Sequence, residues 1–181
     1  MDVAMIGSGP SPPWDVHVVI EIPQGATDPV KYEIDKESGA LFVDRFLHTA
    51  MFYPANYGFI PGTLSADGDP LDVLVISRSS VVPGAVIRSR PIGALVLEDE
   101  AGGDEKIIAV PVDALHPFYS GVTSYEDLPK ILRDQIAHFF QHYKDLETDK
   151  WVRISDWLGP DQAARLIEES MARVADEGSS G

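Results

Sequence analysis

Asp67-Gly-Asp-Pro-Leu-Asp72-Val-Leu-Val-Ile76 places three carboxylates within six residues and then runs directly into four apolar positions. The apolar run reads as a buried strand with the acids at its mouth. Outward from it, from Asp15 to about Val112, the pattern stays short and β-like. Val16, Val18 and Ile20 alternate, and Lys31-Tyr-Glu-Ile34, Ala40-Leu-Phe-Val-Asp44, Ala85-Val-Ile87, Gly93-Ala-Leu-Val-Leu97 and Lys106-Ile-Ile-Ala-Val110 follow, with Gly or Pro in nearly every gap. Short strands separated by turn signals predict a barrel or sandwich, not a βαβ sheet.

The period then changes. Within Ser124 to Tyr143, apolar residues at Leu132, Ile136, Phe139, Phe140 and Tyr143 recur at helical spacing and predict an amphipathic helix. A second helix is expected from Pro160, a favoured first helical residue, through Leu166, Ile167, Met171 and Val174 to a stop at Gly178. The fold expected is mostly β with α, a small β-barrel with two main helices laid against it. One domain spans residues 15–175, and 181 residues with 44% hydrophobic content suffice for one well-buried core. Residues 1–14, broken by Gly7, Gly9, Pro10, Pro12 and Pro13 and free of Lys and Arg, are expected to form a flexible arm, neither signal peptide nor membrane span. Residues 176–181 are expected to fray.

The chain has no cysteine, which excludes disulfides and thiolate metal sites and suits a cytoplasmic location. Its net charge of -15 argues against nucleic acid or an anionic membrane as partner, because both need a basic face. A polyanionic substrate stays open if metal ions cover the acids and the few cations gather round one site.

Acids packed as densely as Asp67, Asp69 and Asp72 cannot all stay ionised cheaply, and a divalent cation removes the conflict. All-oxygen ligands favour Mg2+ or Mn2+, and Mg2+ is usually held by a few carboxylates plus substrate phosphates. A calcium-binding EF-hand loop fails on spacing: with Asp67 and Asp69 in the first and third ligand positions, Leu71 falls on the fifth, Asp72 where Gly is needed and Arg78 where Glu is needed. The plain alternative is a polar turn before a strand.

Other groups carry two readings each. Lys31 and Glu33 share one strand face, as an ion pair or as site residues. Arg45 suits a bidentate phosphate grip or a neighbouring acid. Tyr53 and Tyr57 bracket a turn, as core filler or as ligand contacts. The Gly pair in Glu98-Asp99-Glu100-Ala-Gly-Gly-Asp104-Glu105-Lys106 allows a hairpin that aims Asp99 and Asp104 at one point, or the stretch is a solvated charge run. Lys144 after Tyr143 is ordinary compensation of a helix C-terminus, or a site cation. His138 and His142 share a helix face but lack the Glu of a zinc-protease motif. No role falls on Lys36.

As a set, Glu21-Ile-Pro, Lys31-Tyr-Glu-Ile-Asp-Lys, Val43-Asp-Arg, Tyr53-Pro-Ala-Asn-Tyr-Gly, Asp67-Gly-Asp-Pro-Leu-Asp-Val-Leu-Val and His138-Phe-Phe-Gln-His-Tyr-Lys-Asp-Leu-Glu147 resemble the soluble family I inorganic pyrophosphatases, bacterial branch. The resemblance covers about Val16 to Trp157. It implies a five-stranded oligonucleotide-binding-type β-barrel flanked by helices and Mg2+-dependent hydrolysis of pyrophosphate to two phosphates by a metal-activated water, with Mn2+ or Zn2+ as substitutes. It implies Asp69 as general base; Asp67, Asp72, Asp99, Asp104 and Glu21 as metal ligands; Lys31, Arg45, Tyr57, Lys106, Tyr143 and Lys144 as the phosphate cradle; and Glu33 and Tyr53 in support. It further implies a homohexamer, a dimer of trimers, with the His138 and His142 face between subunits. Two rival functions are a metal-dependent nucleotide phosphohydrolase, which wants a base-stacking pocket that nothing in the sequence marks, and a non-catalytic barrel that binds oligonucleotides.

Overall fold

The structure is a computed structural model and describes residues 2–26 and 28–178. In chain order it holds β1 (Val16–Ile22), β2 (Val30–Ile34), β3 (Leu41–Phe46), β4 (Asn56–Phe59), β5 (Asp72–Val75), β6 (Val86–Asp99), β7 (Gly102–Pro111), α1 (Lys130–His142), β8 (Val152–Leu158) and α2 (Pro160–Gly178). Strands β1, β4, β5, β7 and β6 hydrogen-bond in that order, and β6 returns to β1, so five strands close a ring. β5 runs parallel to β7, and the other pairings are antiparallel. This is the expected mostly-β, five-stranded barrel with two helices. β8 extends it along β6, and β2 and β3 form a separate hairpin.

The acid-to-apolar stretch behaves as read. Val73, Leu74 and Val75 are fully buried, Leu74 on the barrel face shared with Ile136, Phe139 and Phe140 of α1, Val73 and Val75 on the face shared with Ala163 and Ile167 of α2. Burial on both faces explains an apolar run without alternation, and each such side chain contributes about 1.5–3 kcal/mol of transfer free energy.

Several boundaries differ from expectation. Ala85–Ile87 and Gly93–Leu97, read as separate strands, belong largely to the single β6, which passes Pro91 at a register shift between Pro91 and Gly93. α1 starts at Lys130, not near Ser124, because Ser124 caps a short 3-10 turn with Asp127 and Leu128, preceding a proline, is held extended at ψ 145°. The stretch read as a turn, Tyr53–Gly58, enters β4 at Asn56. There Gly58 lets two backbones meet: a Cβ would lie 1.9 Å from the Val19 carbonyl oxygen. Asn56, fully buried, accepts from the Gln24 and Val81 amides and donates to Ser77 Oγ and the Ser79 carbonyl, which accounts for an amide in that motif.

The segment expected as an arm lies against the barrel, Val3 packing with Val19, Ile34 and Phe59. α2 extends to Gly178, into the tail expected to fray, and residues 179–181 lie outside the described residues. Among the described residues no helix is long and apolar enough to cross a membrane.

Candidate active site

Strand ends and one helix end meet at a cleft of about 180 Å³. β1 brings Glu21; the β2–β3 hairpin brings Lys31, Glu33 and Arg45; the turn into β4 and the strand itself bring Tyr53 and Tyr57; the loop before β5 brings Asp67 and Asp69; β5 and β7 bring Asp72, Asp104 and Lys106; and the residues after α1 bring Tyr143 and Lys144. Of the site residues named from the sequence, all but Asp99 line the cleft. It gathers five of the 14 Lys and Arg but six of the 29 acids, so the scarce cations are concentrated there.

Register explains the pairing at the centre. Asp72 and Lys106 are neighbours across the parallel β5–β7 pair, and Asp104 precedes Lys106 by two, on the same face. Lys106 is 6% exposed, and its ammonium is hydrogen-bonded to Asp72 and stands 2.8 Å from Asp104. Burial works against its charge, but the two carboxylates outweigh it and hold its pKa above the ordinary lysine range. Asp104 is pushed up, chiefly by burial and further by Asp72, with Lys106 opposing. Burial also drives the Tyr53 and Tyr57 phenols well above their usual range, with Asp72 adding to both.

Asp99 and Asp104 share a face of the β6–β7 hairpin but sit two rows apart, since Asp99 faces Gly102 and Asp104 faces Leu97. Lys144 lines the cleft and is held at its edge by Asp99 at 2.7 Å and Glu100 at 3.5 Å, beyond any service to the helix terminus. Its position follows from packing: Phe139 stacks on Tyr143 at 5.2 Å and lies 4.6 Å from Tyr53, which fixes the end of α1 over the cleft. Lys31 pairs with Glu33 and lies 3.3 Å from Asp44, and Arg45 Nε stands 3.6 Å from Glu147.

Lys36 is the residue the sequence reading missed. It lines the cleft, and its ammonium donates to Asp69 at 3.1 Å, so it stands among the cations of the site. Its place in Lys31-Tyr-Glu-Ile-Asp-Lys was the available signal. Asp69 is otherwise exposed, and its amide donates to Asp67 Oδ1 at 3.0 Å, which shapes the loop. Among the described residues no three His, Asp or Glu side chains are arranged to hold a metal ion by themselves; the acids ring the cleft. His138 and His142 lie away from it, ring centroids 4.7 Å apart, His142 bonded to Asp145 at 2.8 Å.

Glu21 is 6% exposed, and burial raises its pKa to about 7 against the Ile34 amide that donates to Oε1 at 2.7 Å. The native state therefore keeps a proton that the unfolded chain, titrating near 4.5, gives up. That contribution is fully present below about pH 4.5 and is lost as pH rises through about 7. In chelator-treated protein, Glu21→Gln, which can still accept from Ile34, is expected to remove about 3 kcal/mol of pH-dependent stability across this window. Calorimetry giving parallel pH profiles for variant and wild type excludes Glu21 as the source.

The family model for inorganic pyrophosphatase matches residues 18–175. An inorganic pyrophosphatase of Caulobacter vibrioides is 66% identical over 173 residues, covering 96% of this chain and 97% of its own. A crystal structure described as an inorganic phosphatase of Anaplasma phagocytophilum superposes with TM-score 0.92 at 50% identity, covering 94% of this chain and 99% of that one. That of an inorganic pyrophosphatase of Thermus thermophilus superposes with TM-score 0.90 at 40% identity, covering 97% and 99%. With a model match over nearly the whole barrel and relatives this similar end to end, the chain belongs to the family I inorganic pyrophosphatases, in their bacterial branch.

Proposed function

We propose that this enzyme hydrolyses inorganic pyrophosphate to two phosphates with Mg2+ as cofactor and Asp69 as general base. The observation that carries the reading is the cleft itself, which faces five cations and six carboxylates onto one small space. The cations match a polyanion, and the acids need a cation of their own. At about 180 Å³ the space suits a small inorganic anion, whereas pockets for larger organic ligands run to about 300–1,000 Å³ and are mostly apolar. A nucleotide would also need room for its base and sugar beside the phosphates, which a cleft of about 180 Å³ does not give.

The donor set fits a hard divalent ion: only carboxylates, no thiolate, no imidazole. Burial, and to a lesser degree Asp72, raises the pKa of Glu21 and Asp104, so their charged forms gain from a bound cation. Acids that ring the cleft leave room for the waters and phosphate oxygens that Mg2+ retains. Asp67, Asp72, Asp104 and Glu21 would hold it, with Asp99 beyond the Lys144 pair as a further ligand. When bound, the metal supplies Lewis acidity and lowers the pKa of a water toward neutrality.

The chain's own groups do the rest. Lys31, Arg45, Lys106 and Lys144 neutralise charge on the phosphate oxygens, and Tyr57 and Tyr143 orient them. Glu33 holds Lys31, and Tyr53 buttresses Tyr57 at 5.2 Å. Asp69, at the rim with Lys36 beside it, accepts the proton of the attacking water. Cytoplasmic residence and a homohexamer built as a dimer of trimers belong to the same proposal. Exposed Phe52 and Ile131, beside His138 in an apolar groove, support an interface there.

The test is phosphate release from pyrophosphate and from a nucleoside triphosphate, with and without millimolar Mg2+. Release from pyrophosphate alone, and only with metal, is expected. Preference for the triphosphate supports the nucleotide reading, and no release from either supports a binding module.

A further inference from the structure

Asp67 and Asp69 sit on an exposed loop, where a carboxylate has no packing to hold it in place. The loop is held from behind. Its two ends meet where the Ile60 amide donates to the Leu71 carbonyl at 3.0 Å. Thr63, 4% exposed, bridges the same two residues: its hydroxyl donates to the Ile60 carbonyl at 2.6 Å and accepts from the Leu71 amide at 2.9 Å. One residue on, the Leu64 amide donates to the Ser170 carbonyl of α2 at 2.9 Å, and Arg173 of α2 donates to the Leu64 carbonyl at 3.0 Å. From that anchored strip the Ser65 amide reaches the Asp69 carbonyl at 2.7 Å. Neither Thr63 nor Arg173 lines the cleft.

We propose that Thr63 and Arg173 are positioning residues for the reaction, joining the loop that bears Asp67 and Asp69 to the barrel and to α2 without touching substrate. The proposal rests on the pyrophosphate reading for its catalytic consequence. A hydrogen bond satisfied twice by one buried hydroxyl fixes both ends of the loop at once. A general base displaced by about 1 Å can lose roughly 10²-fold in rate, so small slackening here reaches turnover before it reaches the fold.

The experiment compares Thr63→Val, Thr63→Ser and Arg173→Met with wild type by kcat and KM on pyrophosphate with Mg2+, by thermal unfolding, and by amide exchange at Leu71 and Ser65. Thr63→Val is expected to lower kcat by about tenfold or more, to change KM by less than about threefold, and to expose the Leu71 amide to exchange. Thr63→Ser, which keeps the hydroxyl, restores both kcat and protection. Arg173→Met, on a helix surface, lowers kcat by a few-fold with its melting temperature held and quickens exchange at Ser65. Wild-type kcat in Thr63→Val, or equal losses in Thr63→Val and Thr63→Ser, overturns the proposal. If Thr63→Val does not fold, Arg173→Met decides, and an unchanged kcat overturns it. A wild-type chain that releases no phosphate from pyrophosphate defeats the functional reading instead, and the exchange rates alone then settle whether the loop is held this way.

Discussion

Asp69→Asn is expected to cut pyrophosphate turnover by roughly 10²-fold or more while leaving the melting temperature almost unchanged. The two halves of this outcome have separate causes. Stability is spared because the side chain is largely exposed, its ion pair is with a half-exposed Lys36, and such pairs contribute little. Loop shape is spared because the bond to Asp67 is made by the backbone amide of residue 69, which Asn retains. Turnover is not spared, because an amide oxygen cannot take the proton that a carboxylate can. Steady-state kinetics across about pH 6–9 check it; near-normal hydrolysis throughout would remove Asp69 from the base role. Lys36→Met belongs in the same series, since Lys36 is the cation facing that carboxylate, and a change in the pH profile of that variant would show the pair at work.

Lys106→Met should be the most destabilising change in the cleft. Methionine keeps much of the buried stem and deletes the charge. Asp72 and Asp104, each about a quarter exposed, then face each other with no cation between them, so the loss approaches the roughly 3–5 kcal/mol of a fully buried pair without exceeding it. The loss should be greatest in chelator and smaller in millimolar Mg2+, because an ion bound only by the native state restores positive charge by mass action. Urea unfolding with and without metal measures both numbers. A loss below about 1 kcal/mol in chelator would mean that the two acids relax into water once Lys106 is gone. Activity should fall in either condition, since the ammonium also faces the phosphate space.

Much of this site was legible because its residues come in short runs whose backbone geometry is local. Asp67, Asp69 and Asp72 are neighbours in any conformation, and Lys31 with Glu33 or Asp104 with Lys106 share a face in any strand. The β4 strand was hidden by turn residues in Tyr53–Gly58, and β8 by the short polar run of Ser155 and Asp156 within an edge strand. Those are strands by virtue of their neighbours, since Gly58 is needed only because β1 passes so close.

By itself the sequence determined the class of fold, the chemistry of the donors and the order in which they arrive, because periodicity and residue type act at short range. Which acid meets which cation was a tertiary decision. Asp99 binds Lys144, forty-five residues away, and lies outside the cleft that Lys144 and Asp104 enter. Lys36 meets Asp69 thirty-three residues on, and Arg173 holds a carbonyl one hundred and nine residues back. Contacts across such separations are set by barrel closure and helix packing, and no local pattern encodes the distance between two side chains that only the closed ring brings together.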